Sequence, residues 1–188
     1  MATKTAAETS KTATPDEATM ASDTDLTRAL IAENEVKDYV AASVAASIVP
    51  IPVFDIAAVI AIQLRMIQRL SDLYGRPFSD NMARNTLSAL AGGVLGYTAG
   101  KLVAASAFKL IPGIGWAVGM VSMPIVSGAS TYAIGRSIMK HYEGGGSLFD
   151  ISASELSAYY KEQFEKGKQL ATDAKLRKAS EEELAKAS

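Results

Sequence analysis

The sequence predicts an all-α fold: four membrane-embedded helices in two hairpins, followed by an amphipathic helix. Three observations predict it. Two long stretches of helical apolar periodicity are each broken midway by proline or glycine, at "SIVPIPVFD" and at "KLIPGIGW". Charge is concentrated outside a middle region, Tyr39 to Gly135, whose long runs carry almost none. The arginines of that region gather at the ends of the helices away from the breaks.

Composition excludes several classes of activity. Lys and Arg number 19 against 20 Asp and Glu, so there is no bulk polarity suited to nucleic acid. The absence of cysteine removes disulfides, thiolate metal sites and thiol nucleophiles. A single histidine, His141, leaves no imidazole-rich metal site. "GGVLGYTAGKL" is not a phosphate loop, because Leu95 stands where the first glycine belongs and Leu102 where Ser or Thr should follow the lysine. The expectation is a non-enzyme with no cofactor and no metal.

Residues 1–25, rich in Thr, Ala, Ser and Asp, are expected to be a disordered arm. The helical domain is expected over 26–142, as a hairpin at 26–75 and another at 80–142. The first helix starts near Asp25 and ends near Val49. Pro50 forces the preceding residue out of the α region, and Pro52 suits the first turn of the next helix. Asp55 falls in that turn, where the helix dipole favours a carboxylate. The second helix runs to Gly75, a natural C-terminal stop. A third starts near Asp80 and breaks at Pro112, Gly113 and Gly115, and a fourth continues to Tyr142.

The apolar arms of the first hairpin, 39–49 and 53–64, reach about 17 Å, roughly half the hydrocarbon thickness, and predict a re-entrant hairpin. Those of the second, 86–108 and 114–135, are long enough to span. Gly92, Gly96 and Gly100, with Gly115 and Gly119, are the candidate surfaces for close helix packing, within the chain or between copies. Asp55 and Lys101 are the intramembrane polar candidates; the plainer role for Asp55 is to satisfy the amides of a helix N-terminus. Arg65, Arg69, Arg76, Arg84, Arg136 and Lys140 are the candidate headgroup cations, which places both termini in the cytoplasm.

After "EGGG", residues 143–188 form a cytoplasmic segment. Ser152 and Glu155 have capping-box spacing. Leu156, Tyr160 and Phe164 form one stripe, which could dock on the protein's own open end, on a membrane or on a partner.

Three stretches, "ASIVPIPVFDIAAVIAIQLRMIQRLSDLYG", "LIPGIGWAVG" and "TYAIGRSIMKHY", resemble a bacterial domain-of-unknown-function family, number 697, of YcjF-type inner-membrane proteins. The resemblance covers about residues 41–142. It implies a helical membrane domain, often fused to or encoded beside Era-like or dynamin-like GTPases, with no catalytic residues to carry over. This chain has no GTPase module, so a GTPase would act in trans.

The function expected is a scaffold or membrane-shaping component of the bacterial inner membrane, or of a compartment derived from it. Its partners would be the lipid bilayer, further copies of itself and a GTPase or other protein, with no nucleic acid. A transport component with Asp55 in its pathway, and a soluble helical protein-binding module, are the alternatives.

Overall fold

A computed structural model describes residues 15–48, 54–90, 92 and 114–187, and all regular structure among them is helical. Helix α1 spans Pro15–Ala46, α2 Phe54–Leu73, α3 begins at 80 and is described to 90, α4 spans Ile114–Glu143, and α5 spans Ala153–Ala187. The start of α1 lies ten positions ahead of Asp25, at a proline suited to a first helical turn. The Pro50–Pro52 and Pro112–Gly113 breaks lie outside the described residues.

Local chemistry ends the helices. After α2, Gly75 adopts φ +61°, a left-handed conformation that costs glycine nothing. The Arg76 amide then donates to the Ser71 carbonyl at 2.8 Å and closes the last turn. After α4, Gly145 takes φ +89°, and the Gly146 amide donates to the His141 carbonyl at 3.0 Å.

Pairs of touching residues give the directions. Glu35 meets Arg69, and Val36 and Met66 both face Gly135. Ser47 meets Ser127, whereas Ala171 and Val44 both face Gly128. Helices α1 and α5 therefore run toward the end at which α2 and α4 begin, termed the apical end, and α2 and α4 run away from it. The opposite, open end holds the α2–α3 and α4–α5 connections.

Helix α4 is the hub, packed against α1, α2 and α5. Its residues Ala129, Ala133, Ile134 and Ile138 are fully buried, and Met139 and Tyr142 nearly so. They meet Val36, Val40 and Val44 of α1, and Met66, Ile67 and Leu70 of α2. Leu156, Tyr160, Phe164 and Ala171 of α5 complete the core. Leu87 and Leu90 place α3 in the same cluster.

The arm expected to be long enough to span, 114–135, has its described part within this core. From Pro124 onward that stretch is largely enclosed by protein, and its uncharged character suits a helix buried on several sides. Outside it, the exposed face of α5 carries Glu162, Glu165 and Lys166. No helix among the described residues is long and apolar enough to cross a membrane.

Three close approaches fix the packing. A Cβ on Gly128 would meet Ala171 Cβ and Val44 Cγ2 at 2.7 Å. One on Gly135 would meet Val36 Cγ2 at 2.6 Å, and one on Gly167 would meet the Ala129 backbone at 3.0 Å. Gly92, by contrast, is exposed with nothing within 4 Å of where its Cβ would be. Gly96 and Gly100 lie outside the described residues, and Gly115 and Gly119 occupy the first turns of α4.

Candidate functional site

Two different surfaces close the two ends of this body, with a polar knot between them. The knot joins α1, α2 and α4 through Ser43, Ser47, Gln63, Ser127 and Thr131, none more than 7% exposed. A hydroxyl has one proton to give, which settles the directions. Thr131 donates to the Ser127 carbonyl at 2.9 Å, so Ser43 donates across its 2.8 Å contact with Thr131. Ser47 donates to the Ser43 carbonyl at 2.9 Å, so Ser127 donates to Ser47, also at 2.9 Å. Gln63 Nε2 donates to Thr131 Oγ1 at 3.2 Å. Every hydroxyl of the knot is satisfied, as a buried network requires. These bonds specify the register of three helices rather than present a nucleophile, for none of the five side chains is accessible.

The open end is a polar collar. Glu33 of α1 binds Arg136 of α4 at 3.3 Å and Lys37 at 3.0 Å, and Glu35 binds Arg69 of α2 at 3.2 Å. The hydrogen bond from Lys37 holds the Glu33 carboxyl below its ordinary range against the opposing effect of burial. Arg84 pairs with Asp80 at 2.7 Å, and Arg76 donates to the Tyr142 carbonyl at 3.3 Å. Lys140 lies 4.0 Å from the centre of the Tyr159 ring. Arg65 is exposed on α2. The six candidate headgroup cations thus lie on α2, α3, α4 and the α2–α3 connection, and five of them have partners within the protein.

Beneath the collar, Tyr142 is 1% exposed and donates to Ser71 Oγ at 2.8 Å, because Ser71 gives its own proton to the Ile67 carbonyl. Burial pushes the Tyr142 phenol upward. Tyr74 packs against it with ring centroids 5.8 Å apart and donates to Glu143 at 2.9 Å. Burial and that bond raise the Tyr74 phenol far above its usual value.

The α4–α5 connection is tied by Asp150. Its Oδ1 accepts from the Ser147 amide at 2.6 Å and from the Ser147 hydroxyl at 2.8 Å, with His141 Nε2 at 3.3 Å. The Ser147 bonds, hydroxyl first, hold the Asp150 carboxyl down to about 2. A depressed carboxyl stabilises the fold above its unfolded pKa, and that contribution disappears as pH falls from about 4 toward 2. Asp150→Asn is therefore expected to melt below the wild type at neutral pH, with the two curves converging near pH 2. A constant gap across that range would mean that the Asp150 charge does not hold this turn.

At the apical end α4 is uncharged, whereas α5 carries Asp173, Lys175, Arg177 and Lys178 beyond its contact with Gly128. Between Lys109 and Arg136 the chain has no ionisable side chain except the Tyr132 phenol. Ile60 of α2 and Met123 and Val126 of α4 remain 38%, 44% and 40% exposed. The Gln63–Thr131 bond sets parallel α2 and α4 in register, so Ile60 and Val126 stand within about 3 Å of the same height. Asp55 lies in the first turn of α2, and Lys101 lies outside the described residues. No cluster of metal-ligating side chains occurs among the described residues. An open groove of about 360 Å³ between α1 and the end of α2, lined by Asp23, Thr27, Arg28, Ile31 and Leu73, holds no catalytic constellation.

The stripe Leu156, Tyr160 and Phe164 packs on the body itself, with the Tyr160 and Phe164 rings stacked at 6.2 Å. Sequence reasoning missed Gly128, Gly135 and Gly167, and the five polar residues of the knot. The available signal was the run of small residues "SGAS" in α4, level with "SVAAS" in α1.

The chain belongs to the DUF697 family, described as a domain of unknown function, whose model matches residues 17–169. That range takes in nearly all of α1 and the part of α5 up to 169, and so exceeds the 41–142 readable from motifs. Over 151 residues the chain is 64% identical to magnetosome membrane protein 22 of Magnetospirillum gryphiswaldense, covering 80% of this chain and 77% of that protein. No solved structure matches it.

Proposed function

We propose that this DUF697 chain is a non-enzymatic organiser of a bacterial membrane, held there by its apical end. The observation that carries the reading is the 64% identity to a magnetosome membrane protein. The distribution of charge along α4 supports it, with no ionisable group but the Tyr132 phenol before Arg136 and a collar of paired charges at the open end. The membrane is the inner membrane or a compartment derived from it, and both termini lie on its cytoplasmic side. The helical body serves as a scaffold there, and a GTPase acting in trans is the partner to seek. A hairpin that enters one leaflet takes up area in that leaflet alone, which favours curvature.

Flotation tests this directly. Full-length protein added to vesicles of phosphatidylethanolamine and phosphatidylglycerol is expected to rise with them through a density gradient and to resist alkaline carbonate. Protein that stays at the bottom, soluble without detergent, would turn the search to a helical protein-binding module. Vesicles that bind the protein but keep their size and shape would leave the anchor standing and remove the shaping role.

A further inference from the structure

Helix α1 carries one face that the body leaves bare. Ala32, Val36, Val40 and Val44 turn into the core, while Glu33 and Glu35 reach to α4 and α2. Asp23, Leu26, Leu30, Asn34 and Lys37 follow at steps of three, four, four and three residues, so they share one stripe on the outside. All five are exposed, Leu26 to 62% and Leu30 to 65%. Two bare leucines alone are ordinary; the charges that flank them are not.

The stripe is symmetric about Leu30. Asp23 lies seven residues before it and Lys37 seven residues after it, about 10.5 Å to either side. When two such stripes run antiparallel with their Leu30 side chains face to face, Asp23 of each meets Lys37 of the other. Leu26 of each then falls opposite Asn34 of the other, one turn from the central pair. A parallel pairing would set Asp23 on Asp23 and Lys37 on Lys37, which like charges oppose. Within the chain Lys37 meets Glu33 at 3.0 Å, and the Asp23 carboxylate has no ion-pair partner among the described residues. Lipid is the poorer occupant. From Asp23 to Asp38 the helix bears five carboxylates against two cations, the reverse of the basic polar face by which surface helices hold anionic leaflets.

We infer that this stripe is a self-association surface: it takes the same stripe of a second copy of this chain, in an antiparallel pair with its two-fold axis at Leu30. Each contact is then made twice, as a two-fold interface requires. A seam of four turns is short, so the dimer dissociates on dilution. The stripe lies in the open-end half of α1, so the pairing goes beyond the membrane reading and does not depend on how the apical end is held.

The chain lacks cysteine, so single cysteines report the geometry. Full-length Leu30→Cys, in a mild non-ionic detergent, is expected to form a disulfide dimer rapidly under gentle oxidation. Leu26→Cys should form little, because its two copies lie eight residues apart along the seam, about 12 Å, beyond the reach of a disulfide. Asn34→Cys alone should behave likewise, yet a mixture of the Leu26→Cys and Asn34→Cys chains should link. Sedimentation gives the strength of the pairing. Asp23→Lys and Lys37→Asp should each weaken the dimer several-fold, and the two together should restore it, because the charges exchange places. Leu30→Glu should leave a monomer of wild-type helicity, since position 30 is exposed on the body.

A wild-type chain that stays monomeric at every concentration overturns the inference. Equal linking at positions 26 and 30 overturns it in favour of a parallel pair. A Leu30→Glu chain that sediments as the wild type but no longer floats with vesicles overturns it too, and gives the face to lipid. Dimers with the expected linking pattern support it whether or not the chain floats.

Discussion

Gly135→Val is expected to be among the most damaging single substitutions in the body, lowering the melting temperature by roughly 6–12 °C. A Cβ at this position would lie 2.6 and 2.8 Å from the two methyls of Val36 and 3.2 Å from Met66 Sδ. Val36 and Met66 are both fully buried, and valine is stiff at χ1, so the neighbours have little room to yield. Overpacking of this kind costs about 1–3 kcal/mol, and the upper end applies where the first carbon already collides. For a chain of this size each kcal/mol lowers the melting temperature by about 2–4 °C.

Gly135→Ala should be milder, because alanine recovers up to about 1 kcal/mol of helix propensity against the same first-carbon clash. Combining Gly135→Ala with Val36→Ala should cost less than the sum of the two single changes, since each removes the other's collision. Thermal unfolding followed by circular dichroism reads all four proteins. Additive losses would mean that α1 does not approach α4 at Gly135.

Thr131→Val should cost about 2–5 kcal/mol of unfolding free energy although the side chain keeps its shape. The threonine hydroxyl is the shared acceptor for Ser43 and Gln63 and the donor to the Ser127 carbonyl. Without it, two donors are left without an acceptor at positions 0% and 6% exposed, and each such group costs about 1–3 kcal/mol. Removing the donors as well, in Ser43→Ala with Gln63→Leu and Thr131→Val, should restore most of the loss, because a wholly apolar site has nothing left to satisfy. Urea unfolding of the single and triple variants decides it. A Thr131→Val protein as stable as the wild type would mean that the knot is hydrated and does not set the register.

Both substitutions fall at places that no periodicity marks. Gly135 sits in an apolar run among several glycines, and nothing local distinguishes it from Gly92, which faces open space. Thr131 and Ser127 look like ordinary small residues of an uncharged helix. Their roles appear only when α1 and α2 are laid against α4, because closeness between residues 43 and 131, or 36 and 135, is a property of the folded pairings. Arg69 and Arg136 tell the same story. On the sequence they are cations at the polar ends of their helices, and the structure gives each a carboxylate on α1.

The sequence by itself determined what local chemistry controls. That comprises the all-helical class, the open-end stops at Gly75 and at Gly144–Gly146, and the family, carried by the motifs around Pro50 and Pro112. A glycine that must take positive φ and a proline that cannot continue a helix act within one or two residues, so their meaning is readable in the chain. Only the tertiary structure decided what covers each apolar face. A helix that is apolar on all sides reads the same whether its neighbours are lipid tails or other helices, and hydropathy cannot tell them apart. Packing can, and from Pro124 onward it gives α4 three protein neighbours, α1, α2 and α5.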